Sequence, residues 1–286
     1  MSFSQGVKQE LFQVFPKARH CQLAELASIV TMNGTVKDGN FTISTENEDL
    51  KRKFFTLLNK TITISAYDDT LEASETKELL AALKIKPDFL LPDGLITQQS
   101  CCKRAFIRGA FLASGSVSDP KKGYHFEIVC DSYSVAERLQ SMMIFFGMDA
   151  KIVERKAQSV VYLKESNQIE ELLGLMGANV AYLNFENIRI EKEMRNSINR
   201  QVNCETANIG KIVSASVRQL EDIRLIEETQ GLRSLPPNLQ EIALLRKAHP
   251  DMGLKDLGNL LDPPVGKSGV NHRLRRIGEI ANSIRT

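Results

Sequence analysis

The first third of the chain shows two hydrophobic periodicities. Apolar residues recur every three or four positions in some segments and every second position in others, which are the spacings of a helix face and a strand face. The pattern predicts, in order, a helix at 22–32, a strand at 41–45, a helix at 46–59, a strand at 61–66 and a helix at 74–83. The sequence KDGN at 37–40 centres on Asp-Gly, which favours a two-residue hairpin turn.

The same order of elements returns later in the chain, together with a short sequence signature. NGTVKD at 33–38 recurs as SGSVSD at 114–119, displaced by 81 positions, and FTI at 41–43 matches FEI at 126–128, displaced by 85. The second copy is predicted to contain a helix at 102–113, a strand at 124–130, a helix at 133–146, strands at 151–154 and 160–163 and a helix at 167–175. We therefore predict an internal duplication, with chance similarity of two αβ segments as the alternative.

The first helix of each copy carries small residues on one face. These are Ala24, Ala27 and Ser28 in the first copy and Gly109 and Ala113 in the second. Small side chains allow two helix backbones to approach closely, and a glycine inside a helix costs about 1 kcal/mol relative to alanine. We therefore predict that the two helices pack against each other, with ordinary helical alanine as the alternative.

Beyond residue 184 the pattern becomes helical throughout. Residues 186–200 mix both charge signs, as is typical of an exposed linker helix, and residues 206–229 carry apolar side chains at helical spacing. The apolar set is Ile209, Ile212, Val213, Val217, Leu220, Ile223 and Ile226. After the Pro236-Pro237 break the pattern predicts a helix at 238–247 capped by Asn238, a helix at 254–261, a turn at 262–267 and a helix from the cap Ser268 to 284. The predicted buried face of this last helix is Val270, Leu274, Ile277 and Ile280.

These patterns predict an α+β protein with two domains. The first, at 1–185, is a duplicated αββαββα unit with copies at about 1–95 and 96–185. A linker at 186–202 leads to an all-α domain at 203–286, in which residues from about 253 to 286 have the layout of a helix-turn-helix.

Composition is that of an ordinary globular protein, with 286 residues of which 42 % are hydrophobic and 25 % charged. The apolar runs are far shorter than the ~18 residues of a membrane span, and the N-terminus does not have the pattern of a signal peptide. We therefore expect a cytoplasmic protein without a membrane partner. The net charge is only +2, but residues 267–286 alone carry five Lys or Arg against one Glu, a net of +4. A basic end is the usual footprint of a phosphate-binding surface.

The basic final helix has the residue types that read DNA. In a helix-turn-helix the second helix lies in the major groove, and Asn and Arg side chains pair bidentately with adenine and guanine. The predicted base-reading residues are Ser268, Asn271, His272 and Arg275. The other predicted DNA-binding residues are Lys255, Lys267, Arg273 and Arg276, of which the last three suit phosphates. The alternative is a plain helical hairpin with a solvated face.

The cysteines and histidines give no sequence signal for a metal or a cofactor. The five cysteines form no CxxC motif and are odd in number, so we predict buried apolar fillers rather than a disulfide or zinc framework. The four histidines do not cluster at ligand spacing, and the adjacent His20 and Cys21 offer poor geometry for a zinc site or a catalytic triad. The sequence contains neither GxxxxGKS nor GxGxxG. We therefore expect no metal and no cofactor.

The order of elements that occurs twice, a helix followed by a glycine and a hairpin, resembles the LAGLIDADG homing-endonuclease fold. The resembling segments are LASIVTMNG at 26–34 and IRGAFLASG at 107–115. In that family the residue before the final glycine is an acid, and the two acids share the divalent metals that activate water. The corresponding residues here are Asn33 and Ser114, and neither is a carboxylate. Hard cations require charged oxygen ligands, so we expect a catalytically inactive domain.

An active nuclease with relocated ligands is the open alternative to this interpretation. Asp38 and Asp119 lie four residues past the two glycines, but both fall in predicted hairpin turns, where Asp is favoured for its backbone hydrogen bonds. Such a nuclease would cleave plasmid DNA in magnesium or manganese and would stop on addition of EDTA.

Over essentially its whole length the sequence resembles the WhiA family. The resemblance is carried by MSFSQGVKQEL at 1–11, AELASIVTMNGTV at 24–36, KRAFIRGAFLASGSVSDPKKGYHFEIV at 103–129 and the stretch at 234–281, in which KSGVNHRLRRI at 267–277 is the most specific part. It implies a bacterial DNA-binding transcriptional regulator connected to cell division and chromosome segregation and, in spore-forming relatives, to sporulation. The family's terminal domain is similar to the promoter-reading domain of housekeeping sigma factors.

The implied partner is double-stranded DNA, and the implied location is the nucleoid. Because the second copy is the more basic, a second DNA surface would comprise Lys103, Arg104, Lys121 and Lys122. The alternative function is an interaction scaffold that docks on RNA polymerase or a division factor and binds DNA only non-specifically. The duplication makes the first domain a pseudo-dimer within one chain, so we expect the free protein to be a monomer.

Overall fold

A computed structural model describes residues 2–62, 64, 69–86 and 89–285. The chain divides into two compact units, Met1–Lys192 and Glu193–Thr286. Among the helices of the described ranges, none has both the length and the apolar character that crossing a membrane demands.

The first copy of the repeat contains a three-stranded antiparallel sheet and its helices. The elements are α1 (Phe3–Phe12), α2 (Arg19–Asn33), β1 (Gly34–Lys37), β2 (Asn40–Ile43), α3 (Glu48–Thr61), β3 (Thr70–Leu71), α4 (Ala73–Ala82), β4 (Ile85–Lys86) and β5 (Phe89–Pro92). The sheet order is β1-β2-β3, and β4 and β5 form a separate ribbon. Asp38 and Gly39 have φ of 52° and 85°, which is the left-handed pair of a tight hairpin and confirms the turn predicted at 37–40.

The second copy repeats this plan with a four-stranded sheet. After a 3-10 turn at Gly94–Thr97 its elements are α5 (Ser100–Ser114), β6 (Gly115–Val117), β7 (Phe126–Cys130), α6 (Tyr133–Phe145), β8 (Lys151–Arg155), β9 (Gln158–Leu163) and α7 (Ser166–Met176). The sheet order is β6-β7-β9-β8. Gly115 pairs with Ile128 just as Gly34 pairs with Ile43, so the hairpin register of the two copies is the same. This equivalence confirms the predicted duplication.

One predicted strand of the first copy, at 61–66, falls only partly within the described residues. Thr61, where the strand predicted at 61–66 begins, is the last residue of α3. Half of that prediction, at 63 and 65–66, lies outside the described residues. The short strand that pairs with β2 is β3, through Phe41 opposite Leu71, as β9 pairs with β7 through Leu163 opposite Phe126.

The two first helices of the repeat, α2 and α5, pack directly against each other in the centre of the unit. Ala24, Ala27 and Ser28 are fully buried, and Gly109 faces them. A Cβ atom on Gly109 would overlap the Ser28 hydroxyl and lie 2.8 Å from the Glu25 carbonyl oxygen. The predicted close packing is therefore confirmed, and it leaves no room for a side chain at Gly109.

The second unit is entirely helical. Its elements are the rest of α8 (Asn179–Thr229), a 3-10 turn at Leu232–Ser234, α9 (Pro237–Ala248), α10 (Leu254–Asn259) and α11 (Lys267–Arg285). The residues predicted as a linker at 186–202 and as a helix from 206 belong to one continuous helix. Ile223 and Ile226 are buried among α9 to α11, whereas Ile209, Val213 and Val217 are about half exposed or more. The predicted apolar stripe therefore reaches the core only at its last turns.

Two predicted caps are wrong. α9 begins at Pro237 and not after Asn238, because proline is favoured in the first turn, where its missing N–H costs nothing. α11 begins at Lys267, so Ser268 lies inside its first turn, and the Val270 N–H donates to the Gly266 carbonyl.

Candidate nucleic-acid interface

The turn between α10 and α11 fixes the two helices at close range. The Val265 N–H donates to the Gly258 carbonyl at 3.0 Å, and a Cβ on Gly258 would overlap the Val265 carbonyl oxygen. Val270 on α11 packs at the same point, with Cγ2 3.1 Å from where that Cβ would lie. Glycine at 258 is therefore needed for α10 to pack closely against the turn and α11.

One face of α11 is buried and thereby determines which side chains face solvent. The buried residues, four or three positions apart, are Val270, Leu274, Ile277 and Ala281. Seven of the eight predicted DNA-binding residues on α10 and α11 are exposed: Lys255, Lys267, Ser268, Asn271, His272, Arg275 and Arg276. The exposed end of α11 therefore presents an amide, an imidazole and guanidinium groups, which are donors suited to base edges and phosphates.

Arg273 is the exception among the predicted DNA-binding residues. Its side chain is only 22 % exposed, and its Nη1 atom lies 3.7 Å from Glu241 Oε2 on α9. Arg273 directly precedes the buried Leu274 on α11, so its side chain points in a different direction from those of Asn271 and Arg275. The structure thus gives Arg273 a partner within the helical unit.

A carboxylate lies among the exposed arginines of α11. Arg276 Nη1 donates to Glu279 Oε2 at 2.7 Å, and Arg275 Nε lies 3.7 Å from Glu279 Oε1. The hydrogen bond from Arg276 and the charges of both arginines hold the pKa of Glu279 below its usual range. Glu279 therefore remains charged at neutral pH and competes with phosphate for these guanidinium groups.

A groove of about 360 Å³ runs beside the exposed end of α11. Its lining includes Lys211, Arg246, Lys255, Lys267 and Asn271. Arg246 is buried and donates from Nη1 to the Met252 carbonyl at 2.7 Å, which ties α9 to the loop before α10. Lys211 and Arg246 were not predicted, because each lies outside the helix-turn-helix in sequence and joins the groove only through packing. The groove concentrates positive charge where the backbone of a nucleic acid could run.

Asn33 and Ser114 are the last residues, or feet, of α2 and α5, and their neutral side chains form hydrogen bonds with the backbone. Asn33 Nδ2 donates to the Ser44 carbonyl at 3.3 Å, and Ser114 Oγ donates to the Val129 carbonyl at 2.7 Å. Ser44 and Val129 are themselves equivalent in the repeat, since they differ by 85 positions. Both side chains therefore link a helix to the hairpin of its own copy, since Val129 lies in β7 and Ser44 directly follows β2.

Asp38 and Asp119, the acids considered as alternative metal ligands, both lie in turns. Asp38 occupies the β1–β2 hairpin with positive φ, and Asp119 Oδ1 accepts from the Lys121 N–H at 2.9 Å. This is the local backbone hydrogen bonding that favours Asp in turns.

The four cations of the predicted second DNA surface fall into two separate places. Lys103 and Arg104 lie in the first turns of α5, and Lys103 Nζ donates to the Thr97 and Gln98 carbonyls at 2.9 and 2.8 Å. Lys121 and Lys122 are exposed in the loop between β6 and β7. Ten residues of helix separate Arg104 from the foot of α5, about 15 Å at the usual helical rise. The structure therefore does not bring the two pairs together along α5.

Sequence reasoning missed a cluster of sulfur and imidazole groups. His20, Cys21, Cys101 and Cys102 place their ligand atoms within 4.8 Å of one another. Burial raises the pKa of the Cys21 thiol to about 12 and also raises that of Cys102, so neither has the character of a reactive thiolate by itself. The available signal was the repeat, because 81 positions separate His20 from Cys101 and Cys21 from Cys102.

Comparison with known proteins agrees with the two units and their elements. Residues 103–195 match the family described as "WhiA LAGLIDADG-like domain", and residues 198–281 match "WhiA C-terminal HTH domain". The "Probable cell division protein WhiA" of Lachnospira eligens is 46 % identical over 100 % of this chain and 98 % of its own length. That of Lachnoclostridium phytofermentans is 46 % identical over 100 % of both chains.

A solved structure covers the same two domains. The crystal structure of full-length DUF199/WhiA from Thermatoga maritima has a TM-score of 0.61 and 25 % identity, with 99 % of each chain covered. The protein is thus an α+β chain with a LAGLIDADG-like domain followed by a helical helix-turn-helix domain. With these relatives matched along its entire length, the chain belongs to the WhiA family.

Proposed function

We propose that this chain is a non-enzymatic, sequence-specific double-stranded DNA-binding protein that regulates transcription in connection with cell division and chromosome segregation. The observation that carries the proposal is the exposed end of α11. Its buried residues Val270 and Leu274 hold Asn271 and Arg275 toward solvent, beside Lys255 and Lys267. This is the arrangement by which a recognition helix reads base edges while lysines contact phosphates.

The role in division is supported by the names of the relatives. Both bacterial proteins described above are called probable cell division proteins, and their helix-turn-helix domain has its counterpart here. A protein that binds specific sites on the chromosome would associate with the nucleoid. Sporulation is a further role that the family resemblance implies for spore-forming bacteria.

The absence of catalysis is supported by the chemistry at the helix feet. An amide at Asn33 and a hydroxyl at Ser114 are neutral ligands, and both already donate hydrogen bonds to backbone carbonyls. Two-metal phosphodiester hydrolysis needs carboxylates that bridge the cations. The domain would then serve as a scaffold, with Lys121 and Lys122 as its candidate DNA contacts.

The test begins by finding the site with the full-length protein, through genome-wide crosslinking in its own host. Binding to that site and to a scrambled duplex is then measured for wild type, Asn271→Ala and Arg275→Ala. Loss of a base contact should weaken specific binding about 5- to 150-fold, since such a contact carries ~1–3 kcal/mol. Arg233→Ala, which removes an exposed arginine from the 3-10 turn before α9, is the control and should bind normally.

Three results would contradict the proposal. Equal losses on both duplexes would assign Asn271 and Arg275 to phosphates, and unchanged binding in both variants would favour the scaffold that docks on RNA polymerase or a division factor. Plasmid cleavage in magnesium or manganese that EDTA abolishes would overturn the non-enzymatic assignment.

A further inference from the structure

The N-terminal ends of α2 and α5 bring four soft donor atoms together. His20 Nδ1 lies 3.1 Å from Cys102 Sγ, 3.3 Å from Cys21 Sγ and 4.0 Å from Cys101 Sγ. All four ligand atoms lie within 4.8 Å of one another. Three sulfurs and one imidazole nitrogen at such range are the donor set of a tetrahedral zinc centre.

The dimensions fit an ion at the centre of the four donors. Zinc bonds of about 2.3 Å to sulfur and about 2.0 Å to nitrogen place tetrahedral donors roughly 3.5–3.8 Å apart. The three nitrogen–sulfur distances, 3.1, 3.3 and 4.0 Å, bracket that spacing. Only small rotations of the side chains would be required.

The site has the symmetry of the duplication. Each copy supplies two adjacent residues, and the pairs are displaced by the same 81 positions as the repeat signature, so His20 corresponds to Cys101 and Cys21 to Cys102. Each pair lies in the first turn of its own 15-residue helix, His20 and Cys21 in α2 and Cys101 and Cys102 in α5. The feet of these helices, at Asn33 and Ser114, lie about 20 Å away along the helix axis. The cluster is therefore separate from the place of the ancestral catalytic metals.

The surroundings are those of a structural metal site. Cys21 and Cys102 are buried with Ala24 and Ala105, while His20 is exposed and leaves a path for entry. Neither helix has a side chain that caps its N-terminus through a hydrogen bond. The positive dipole ends of two helices favour thiolates at this point.

We propose that His20, Cys21, Cys101 and Cys102 form a structural zinc site that clamps the N-terminal ends of α2 and α5 together. Zinc binds as Zn²⁺ and displaces the three thiol protons, which pass to solvent, with no change in oxidation state. Because the ligands come from both copies, the ion would cross-link the two halves of the pseudo-dimer. It would stabilise the folded domain and take no part in DNA chemistry.

The experiment measures zinc in the full-length protein expressed with zinc and purified without chelators. Elemental analysis should find about one zinc per chain in wild type and in Cys204→Ser, whose exposed cysteine lies on α8 outside the cluster. The zinc content of Cys21→Ser and of Cys102→Ser should be at least about tenfold lower than that of wild type. A strong chelator should lower the melting temperature of wild type and of Cys204→Ser and leave that of the two cluster variants unchanged.

Because variants of buried cysteines can fold poorly, a second measurement uses cobalt. Co²⁺ added to chelator-treated wild type should give intense visible bands of a tetrahedral ion and thiolate charge-transfer absorption. Cys101→Ser, at a half-buried position, should keep its circular dichroism and lose about one third of that charge-transfer intensity, as expected for two thiolates instead of three. Wild type that binds neither ion, zinc content equal in all variants, or a Cys21–Cys102 disulfide found by peptide mapping would each overturn the proposal.

Discussion

Arg108 on α5 donates two parallel hydrogen bonds to Glu25 on α2, from Nε at 3.0 Å and from Nη2 at 2.7 Å. Glu25 is fully buried, and Lys53 Nζ from α3 lies 3.0 Å from Glu25 Oε1, the same oxygen that accepts from Arg108 Nε. Arg108 Nη1 also donates to the Met176 carbonyl at 3.0 Å. The closest part of the interface between the two copies therefore contains a buried charge whose two partners come from different elements.

Removal of Arg108 should destabilise the protein markedly. In Arg108→Met the Glu25 carboxylate keeps Lys53 but loses its bidentate partner, and breaking a buried pair costs about 3–5 kcal/mol. We expect the free energy of unfolding of the first unit to fall by about 3 kcal/mol in urea denaturation followed by circular dichroism. Arg104→Met, four residues earlier and exposed, should change it by less than about 0.5 kcal/mol. Equal effects of the two substitutions would contradict the buried-pair argument.

A single methyl group at Gly109 should also disrupt the packing of α2 on α5. In Gly109→Ala the added Cβ meets the Ser28 hydroxyl and the Glu25 backbone, so the helices must separate. Overpacking of this kind costs about 1–3 kcal/mol, more than the helix propensity gained. Gly6→Ala on α1 has nothing within 4 Å of its Cβ and should raise the melting temperature slightly. A melting temperature of Gly109→Ala at or above wild type would show that the interface has room.

The helix-turn-helix should depend on Gly258 in the same way. In Gly258→Ala the added Cβ displaces the Val265 carbonyl and with it the turn that positions α11. DNA affinity should therefore fall at least about tenfold, the equivalent of about 1.4 kcal/mol. The matched control is Gly210→Ala on α8, a helical glycine of the same unit with open space around it. Fluorescence anisotropy with a labelled duplex measures both, and unchanged affinity in Gly258→Ala would mean that the turn adjusts without moving α11.

Neutralising Glu279 should strengthen DNA binding. Glu279→Gln frees Arg275 and Arg276 from an intramolecular partner and removes a charge that repels phosphate, so affinity for non-specific DNA should rise a few-fold, by about 0.5–1 kcal/mol. The Arg276 hydrogen bond keeps the pKa of Glu279 below its usual range, so Glu279 is charged at pH 7 and the gain requires the substitution. Glu228→Gln, an exposed acid on α8, is the control of equal charge. A weaker Glu279→Gln complex would mean that this acid orients the arginines productively.

The loop between β6 and β7 is the place to test for a second DNA surface. Each lysine that neutralises a phosphate contributes about 0.9 to the slope of log affinity against log salt, so Lys121→Ala/Lys122→Ala should reduce that slope by nearly 2. Lys103→Ala/Arg104→Ala should leave it unchanged, because the Lys103 ammonium is held by the carbonyls of Thr97 and Gln98. The reverse outcome would place DNA at the N-terminal end of α5.

The sequence by itself determined the local elements, because their signals lie within a few residues of one another. The 3.6-residue and two-residue periodicities, the Asp38-Gly39 turn and the 81-residue repeat were sufficient to predict most of the helices, the first hairpin turn and the duplication, but not α1 or the β4–β5 ribbon. The same holds for α11, where the spacing of Val270, Leu274 and Ile277 indicated that Asn271 and Arg275 face outward.

Tertiary structure decided everything that depends on distant residues meeting. The partner of Arg273 on α9, the inclusion of Arg246 in the groove and the exposure of Ile209 and Val213 all follow from which helix faces are covered, and a periodicity cannot specify that. The clearest case is the cluster of His20, Cys21, Cys101 and Cys102. Its members have no metal-binding spacing along the chain, and they converge because α2 and α5 pack closely enough to bring their ligand atoms within 4.8 Å of one another.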